Sequence, residues 1–236
     1  MSTKPLLALL SAGILLASNG LALAANQTFT AAGTYEVKMP ESTNKVYITL
    51  IGAGGGGSAA GGGAGVTLVC TYDLYAGQIV TLTVGAGGKA GTSGASGGAG
   101  GESVLSFNRG AYQVPVKGGK GATAEGGKGG SAGPTPECGF SSGGNGTATA
   151  GGKPDTAEAS RQEGARREAK MKDELRQFLA KEHPDIDMMH LDLSPMLKDL
   201  DSATAADAVR AAACKTAGSG GAPGMSGADG CASIDY

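Results

Sequence analysis

Glycine is concentrated in five blocks of this sequence, and these blocks limit what the chain can fold into. They span residues 52–65, 85–101, 118–133, 139–152 and 218–230. With 44 glycines among 236 residues, and only 4 Phe, 6 Tyr and no Trp, the chain lacks the side chains for a large conventional core. A polyglycine coil loses much conformational entropy on ordering and gains no side-chain contacts in return. The blocks are therefore either disordered surface loops or segments that pack through their backbones.

Backbone packing of the blocks is favoured because every block contains Gly-Gly pairs. Without a Cβ, extended segments of the polyproline II type can lie side by side, and each satisfies the N–H and C=O groups of its neighbour. Composition alone equally permits disordered loops. We expect packed glycine segments.

Short alternating or β-branched runs lie between the blocks and predict strands. These runs are residues 34–39, 46–51, 66–72, 79–84, 104–107, 112–116 and 232–236. Strands of this length with glycine punctuation predict a mainly β fold, an antiparallel jelly-roll-like sandwich with packed glycine-rich segments.

Residues 153–216 differ in composition, because glycine is rare there and charged helix formers dominate. We predict a three-helix insertion in a glycine-rich β domain formed by residues 25–152 and 217–236. Asp155 or Thr156 can cap the first helix, which carries an apolar stripe. The other two helices are predicted to begin at Ser194 and Thr204. The stripe of the first helix consists of Met171, Leu175, Phe178 and Leu179.

The first 24 residues have the organisation of a cleavable signal peptide. Lys4 provides a positive charge, residues 6–16 are apolar, and Ala22-Leu23-Ala24 is a typical cleavage site. The apolar run is interrupted and falls short of the ~20 residues that a membrane span needs. We therefore expect a mature chain that does not span the membrane and is secreted, periplasmic or displayed at the cell surface.

Four cysteines, an even number, indicate two disulfides in such a compartment. Their spacing contains no Cys-x-x-Cys pair of the kind found in zinc or redox sites. Pairing of Cys138 with Cys214 would tie the neck of the insertion and leave Cys70 for Cys231. The nearby pair of Cys214 and Cys231 is an alternative.

Several stretches resemble the bacterial and phage glycine-rich domain family. They are residues 29–40, 46–57 and 76–88, together with the ending at residues 227–236. The resemblance covers residues 28–150 and 217–236, and it implies a β-sandwich with packed polyglycine helices and a structural or adhesive role. It offers no catalytic motif, and residues 153–216 depart from it.

Two motifs suggest small-molecule or metal chemistry. Gly52, Gly54 and Gly57 reproduce a dinucleotide-binding fingerprint, but the next strand follows too soon for a crossover helix. The segment around His183, Asp187 and His190 contains potential metal ligands, although Pro184 indicates a loop and makes them weak candidates. We expect no cofactor and no catalytic metal.

The sequence thus predicts a non-catalytic structural or adhesive module whose partner is a surface or envelope component, either protein or glycan. A homo-oligomer is compatible with the sequence. Tyr72, Tyr75 and Tyr112 are candidates for stacking on sugars, which gives the alternative of a glycan-binding or small-ligand-binding protein. An exported metal-dependent enzyme is a remote alternative.

The net charge of −2 argues against a nucleic-acid partner. The basic run from Arg161 to Arg176 is interleaved with acidic residues, as is typical of a solvated helix face.

Overall fold

The computed structural model describes residues 26–92, 95–107, 110–131, 138–182 and 214–236. These residues form nine strands and one helix. In chain order the elements are β1 (Asn26–Phe29), β2 (Gly33–Lys38), β3 (Val46–Ile51), β4 (Thr67–Tyr72), β5 (Ile79–Val84), β6 (Ser103–Phe107), β7 (Tyr112–Val116), β8 (Cys138–Ser141), α1 (Thr156–Glu182) and β9 (Cys231–Asp235).

The strands form two antiparallel sheets that pack face to face. The first sheet has the order β1-β9-β3-β4-β8 and the second has the order β2-β5-β6-β7. Ile48 and Leu50 from the first sheet and Leu82 and Leu105 from the second are fully buried in one hydrophobic cluster. The prediction of a mainly β, antiparallel structure is confirmed.

The finer expectations about the fold are not supported. Strands β5, β6 and β7 are neighbours in chain order within one sheet, and β3 pairs directly with β4, which is not the strand order of a jelly roll. Among the described residues there is one helix and not three. The second predicted helix and nearly all of the third fall on residues 183–213, which lie outside the described residues.

Each glycine block forms a hairpin of two extended segments that are neither helix nor strand. One segment leads away from the sheets, a short turn follows, and the second segment leads back. The described residues of the five hairpins are 52–66, 85–92 with 95–101, 117–130, 143–153 and 218–230. The expectation of packed glycine segments is therefore confirmed, and disordered loops are not what these residues form.

The segment 52–57 shows how the glycine hairpins pack. Its N–H groups donate in three directions that repeat every third residue, as expected for a helix with three residues per turn. The donor and acceptor pairs are Gly52 to Val66, Gly55 to Gly63, Ala53 to Gly101, Gly56 to Gly98, Gly54 to Ala228 and Gly57 to Met225, at 2.8–3.1 Å. Its carbonyls accept hydrogen bonds from three further segments, through Gly119 and Ala122, through Gly88 and Gly91, and through Gly221. One extended segment is thus enclosed by six others.

The returning segment 61–66 is enclosed in the same way. Its N–H groups donate to segments 117–120, 144–147 and 218–221, and it accepts from segments 127–130 and 52–55 and from Gly152. The hydrogen bonds between the remaining segments place all ten in three layers of three, four and three. We call this arrangement the glycine lattice. Its outer layers are 97–101, 117–122 and 127–130 on one side and 150–153, 218–221 and 226–229 on the other.

Side chains are excluded from the interior of the lattice by backbone contact. A Cβ built on Gly54 would overlap the carbonyl of Ser219, and one built on Gly63 would overlap the carbonyl of Lys128. The two enclosed segments accordingly contain only glycine and alanine, apart from Val66 where the chain re-enters β4. Most peripheral segments carry a larger residue, such as Lys120 in 117–122, and segment 97–101 is an exception. The glycine content is therefore a packing requirement.

Candidate functional site

The turns of the five hairpins lie together at the end of the lattice that is farthest from the sheets. We call them the tip turns, and their described residues are 58–60, 92, 95, 96, 123–126, 147–150 and 222–225. The hydroxyl of Ser58 donates to the carbonyl of Ala95 at 2.5 Å, and Gly224 N–H donates to the carbonyl of Ser58 at 2.9 Å. Hydrogen bonds thus join three of the turns into one surface.

The tip turns present small polar and apolar side chains on a rigid support. Met225 is the largest exposed apolar side chain there, at 62% exposure. Other exposed residues of the tip turns include Ala59, Thr92, Ala95, Thr123, Ala124, Glu125, Ala148 and Thr149. Sequence reasoning did not single out these residues, although each turn is marked by a short Ser, Thr or Ala stretch that interrupts two glycine runs. The arrangement is suited to contact with another molecule.

The three candidate tyrosines lie at the opposite end of the sheets, where β4 ends and β7 begins. Tyr72 is half-buried, packs edge-on against Phe107 with ring centroids 4.8 Å apart, and donates to the Sγ of Cys138 at 3.4 Å. Tyr112 also stacks on Phe107, with ring centroids 6.0 Å apart, and it is 44% exposed. Tyr75 is 81% exposed in the β4–β5 connection. The structure therefore connects two of the three through Phe107 and leaves only Tyr75 and Tyr112 well exposed.

All four cysteines form disulfides, but the pairing differs from the favoured prediction. Cys70 is joined to Cys138, and Cys214 is joined to Cys231. The prediction of a Cys138–Cys214 and a Cys70–Cys231 bridge is wrong, because β4 and β8 pair in a register that places Cys70 directly opposite Cys138. The alternative of a Cys214–Cys231 bridge is the one the structure shows. Two disulfides are consistent with an extracellular compartment.

Helix α1 is positioned against the first sheet by a buried carboxylate. Asp155 caps the helix by accepting a hydrogen bond from Glu158 N–H at 2.9 Å, as expected. Glu163, about two turns after the cap, is fully buried and accepts from Gly139 N–H of β8 at 3.2 Å. Gln162 accepts from Phe140 N–H at 3.2 Å. The first half of α1 therefore covers β8, the edge strand of this sheet.

The second half of α1 does not bury the predicted apolar stripe. Met171 is 41% exposed and Phe178 is 59% exposed, while Leu175 and Leu179 are only half-buried. The basic run is largely paired with neighbouring acids. Arg161 pairs with Glu158, Arg166 with Glu163 and Lys172 with Glu168. This confirms the interpretation of a salt-bridged face.

Of the two remaining sequence motifs, the glycine fingerprint lies within the described residues and the histidine segment does not. Gly52, Gly54 and Gly57 belong to the enclosed segment of the lattice and are surrounded by backbone. His183, Asp187 and His190 lie outside the described residues. Within the described ranges, no group of three or more His, Cys, Asp or Glu side chains is placed to hold a metal ion. No helix in this part of the chain combines the length and apolarity of a membrane span.

Comparison with known families identifies the domain. Residues 30–175 match the family model of the glycine-rich domain. This chain belongs to the glycine-rich domain family. The matched region contains four of the five glycine hairpins and α1 as far as Leu175, so it includes part of the region that departs from the resemblance seen in the sequence. No curated protein matches the chain.

Proposed function

We propose that this glycine-rich domain protein is a secreted or cell-surface structural and adhesive module with no catalytic activity. The observation that carries the proposal is the glycine lattice, in which two segments are enclosed by six neighbours each. Such a body has few rotatable side chains in its interior, so it holds the tip turns in fixed relative positions. Preorganised contact surfaces lose less conformational entropy on binding.

The location of the contact surface follows from the same geometry. The tip turns are the connections of a rigid scaffold, and such connections tolerate sequence change more readily than the lattice, where a Cβ has no room. We propose that they contact an envelope component, protein or glycan, after export by the signal peptide predicted at residues 1–24. The disulfides support export, because such bridges persist in oxidising compartments.

Substitutions at the two ends of the molecule test this proposal. Ala59→Arg and Ala124→Arg each place a bulky charge on a tip turn, and both positions are exposed. The matched controls are Ala76→Arg and Ala111→Arg, which are exposed in the connections at the opposite end. We expect the tip variants to lose binding of the processed protein to isolated cell envelope, with unchanged thermal unfolding, while the controls bind normally. Normal binding by both tip variants, or loss only in the controls, would contradict a tip contact.

A glycan-binding role for the aromatic end is the second candidate. It is favoured by Tyr112, an exposed ring supported by stacking on Phe107, and by the exposed ring of Tyr75. Tyr75→Ala and Tyr112→Ala, assayed on a glycan array beside the tip variants, separate the two roles. Loss of glycan signals in the tyrosine variants alone would favour this second function.

A further inference from the structure

One outer layer of the glycine lattice carries three exposed lysines on a flat surface. Lys117 and Lys120 lie three residues apart in segment 117–122, and Lys128 lies in the adjoining segment 127–130. Lys120 N–H donates to the carbonyl of Lys128 at 2.9 Å, so these two residues are immediate neighbours. We call the three residues the lysine face.

The side chains of the three lysines are exposed, whereas the glycines beside Lys117 and Lys120 face other segments of the lattice. The flanking glycines Gly118, Gly119 and Gly121 have backbone atoms of other segments where a Cβ would lie. Lys117 and Lys120 are about 9 Å apart along the segment, given the rise of about 3.1 Å per residue in this conformation. These two positive charges therefore have a fixed spacing along the middle segment of the outer layer.

The charges of the lysine face are not neutralised within the described part of the chain. None of the ion pairs there involves Lys117, Lys120 or Lys128. Among the described residues, the nearest carboxylates in sequence are Glu102, at the base of this layer, and Glu125, in a tip turn, and both are exposed. The opposite outer layer has small neutral residues at exposed positions, such as Ala150 and Ser226, with a single lysine, Lys153. The protein has a net charge of −2, so this face is a local exception.

We propose that the lysine face binds an acidic polysaccharide, a sugar chain that carries carboxylates at regular intervals. Two of the charges lie along one segment and the third lies on the segment beside it, so they are spread over a flat surface and do not converge in a pocket. This arrangement suits an extended polymer better than a small anion. Stacking on aromatic rings, which single-stranded nucleic acids use, has no counterpart because segments 97–101, 117–122 and 127–130 contain no aromatic residue. The inference rests on the proposed adhesive function and names the chemistry of one partner.

Binding of the processed, disulfide-bonded chain to immobilised alginate tests the inference, with neutral dextran and single-stranded DNA as comparison surfaces. The test variant is Lys117→Gln, Lys120→Gln and Lys128→Gln combined. The matched control combines Lys38→Gln, Lys89→Gln and Lys215→Gln, three exposed positions away from the face, with the same change in net charge. Thermal unfolding verifies that both variants are folded.

We expect alginate binding that weakens as salt rises, because exposed charges are screened. The face variant should bind about tenfold more weakly, and the control should stay within about twofold of the wild type. Equal loss in both variants, no binding to alginate, or tighter binding to single-stranded DNA would overturn the inference. If the wild type binds cell envelope and the face variant binds it equally well, the adhesive function stands and the lysine face is not its contact. Failure of the wild type to bind envelope would instead count against the adhesive function.

Discussion

The N–H of Gly139 in β8 donates to the carboxylate of Glu163 in α1 at 3.2 Å. The same carboxylate receives two hydrogen bonds from Arg166 at 2.7 Å, so the buried charge is compensated. Gly139 has no room for a side chain, because a Cβ there would overlap the backbone of Ala159 and Glu163. Edge strand and helix are therefore in direct backbone contact, and the helix protects an edge that would otherwise be open to another chain.

Glu163→Ala is expected to destabilise the protein by about 3 kcal/mol, because it leaves Arg166 without its buried partner and removes the acceptor of Gly139 N–H. The control is Glu168→Ala, which removes a 47% exposed carboxylate paired with Lys172 on the same helix. We expect the control to cost about 0.5 kcal/mol or less. Urea denaturation measures both values, and similar costs for the two variants would show that the buried contact does not hold the helix.

The contacts of α1 also predict the result of excising residues 154–216. The composition of this region led us to expect an appendage, but its first helix covers β8 and contributes Ala159 and Glu163 to the buried residues. Replacement by a short Gly-Ser linker, with Cys231→Ser to avoid an unpaired thiol, should therefore give a protein without a cooperative melt. Retention of a sharp thermal transition in the excised protein would place the domain boundary before α1.

The lattice makes opposite predictions for two glycines. Gly54 is buried, and a Cβ there would overlap the Ser219 carbonyl, whereas Gly98 is exposed and a Cβ would approach no atom closer than 3.2 Å. We expect Gly54→Ala to destabilise by about 3 kcal/mol through overpacking, and Gly98→Ala to stay within about 1 kcal/mol of the wild type. Denaturant unfolding of the two variants, measured side by side, gives both changes in the free energy of unfolding. A tolerated Gly54→Ala would mean that the segments are farther apart than described.

The disulfide pairing has a direct chemical test. Proteolysis under non-reducing conditions should release one peptide pair that contains Cys70 and Cys138 and another that contains Cys214 and Cys231. Loss of the first bridge in Cys70→Ser/Cys138→Ser should cost about 2–5 kcal/mol, a typical range for such bridges. Recovery of a peptide pair that joins Cys138 to Cys214 would contradict this pairing and show that a bridge closes the neck of the helical region.

Much of the fold follows from local sequence patterns. Strands β3, β5 and β7 have the predicted bounds, because each is a β-rich run that ends at a glycine block or turn. Strands β1 and β8 were not predicted, because Asn26–Phe29 is polar and Cys138–Ser141 is short and contains Gly139. Both are held by pairing with β9 and β4, which no local pattern reveals. The disulfide pairing was missed for the same reason, since it depends on the register of β8.

The lattice was predictable in kind but not in detail. Repeated Gly-Gly pairs indicate close backbone packing, but the neighbours of each segment depend on hydrogen bonds between residues far apart in sequence, such as Gly62 and Gly221. One signal was present: the enclosed segments 52–57 and 61–65 contain only glycine and alanine, although the outer segment 97–101 shares this composition. The tip turns and the lysine face become surfaces only after the hairpins are assembled. Their chemistry could therefore not be inferred from order along the chain.

Amide hydrogen exchange of the glycine lattice tests the central claim most directly. Gly55, Gly56, Gly62 and Gly63 donate to backbone carbonyls at 2.8–2.9 Å inside the two enclosed segments. If the lattice is an ordered, rigid platform, these amides exchange only when the whole domain unfolds, at the same opening free energy as amides of β3. Exchange at the rate of an unstructured peptide, in a protein whose β3 amides remain protected, would contradict the account.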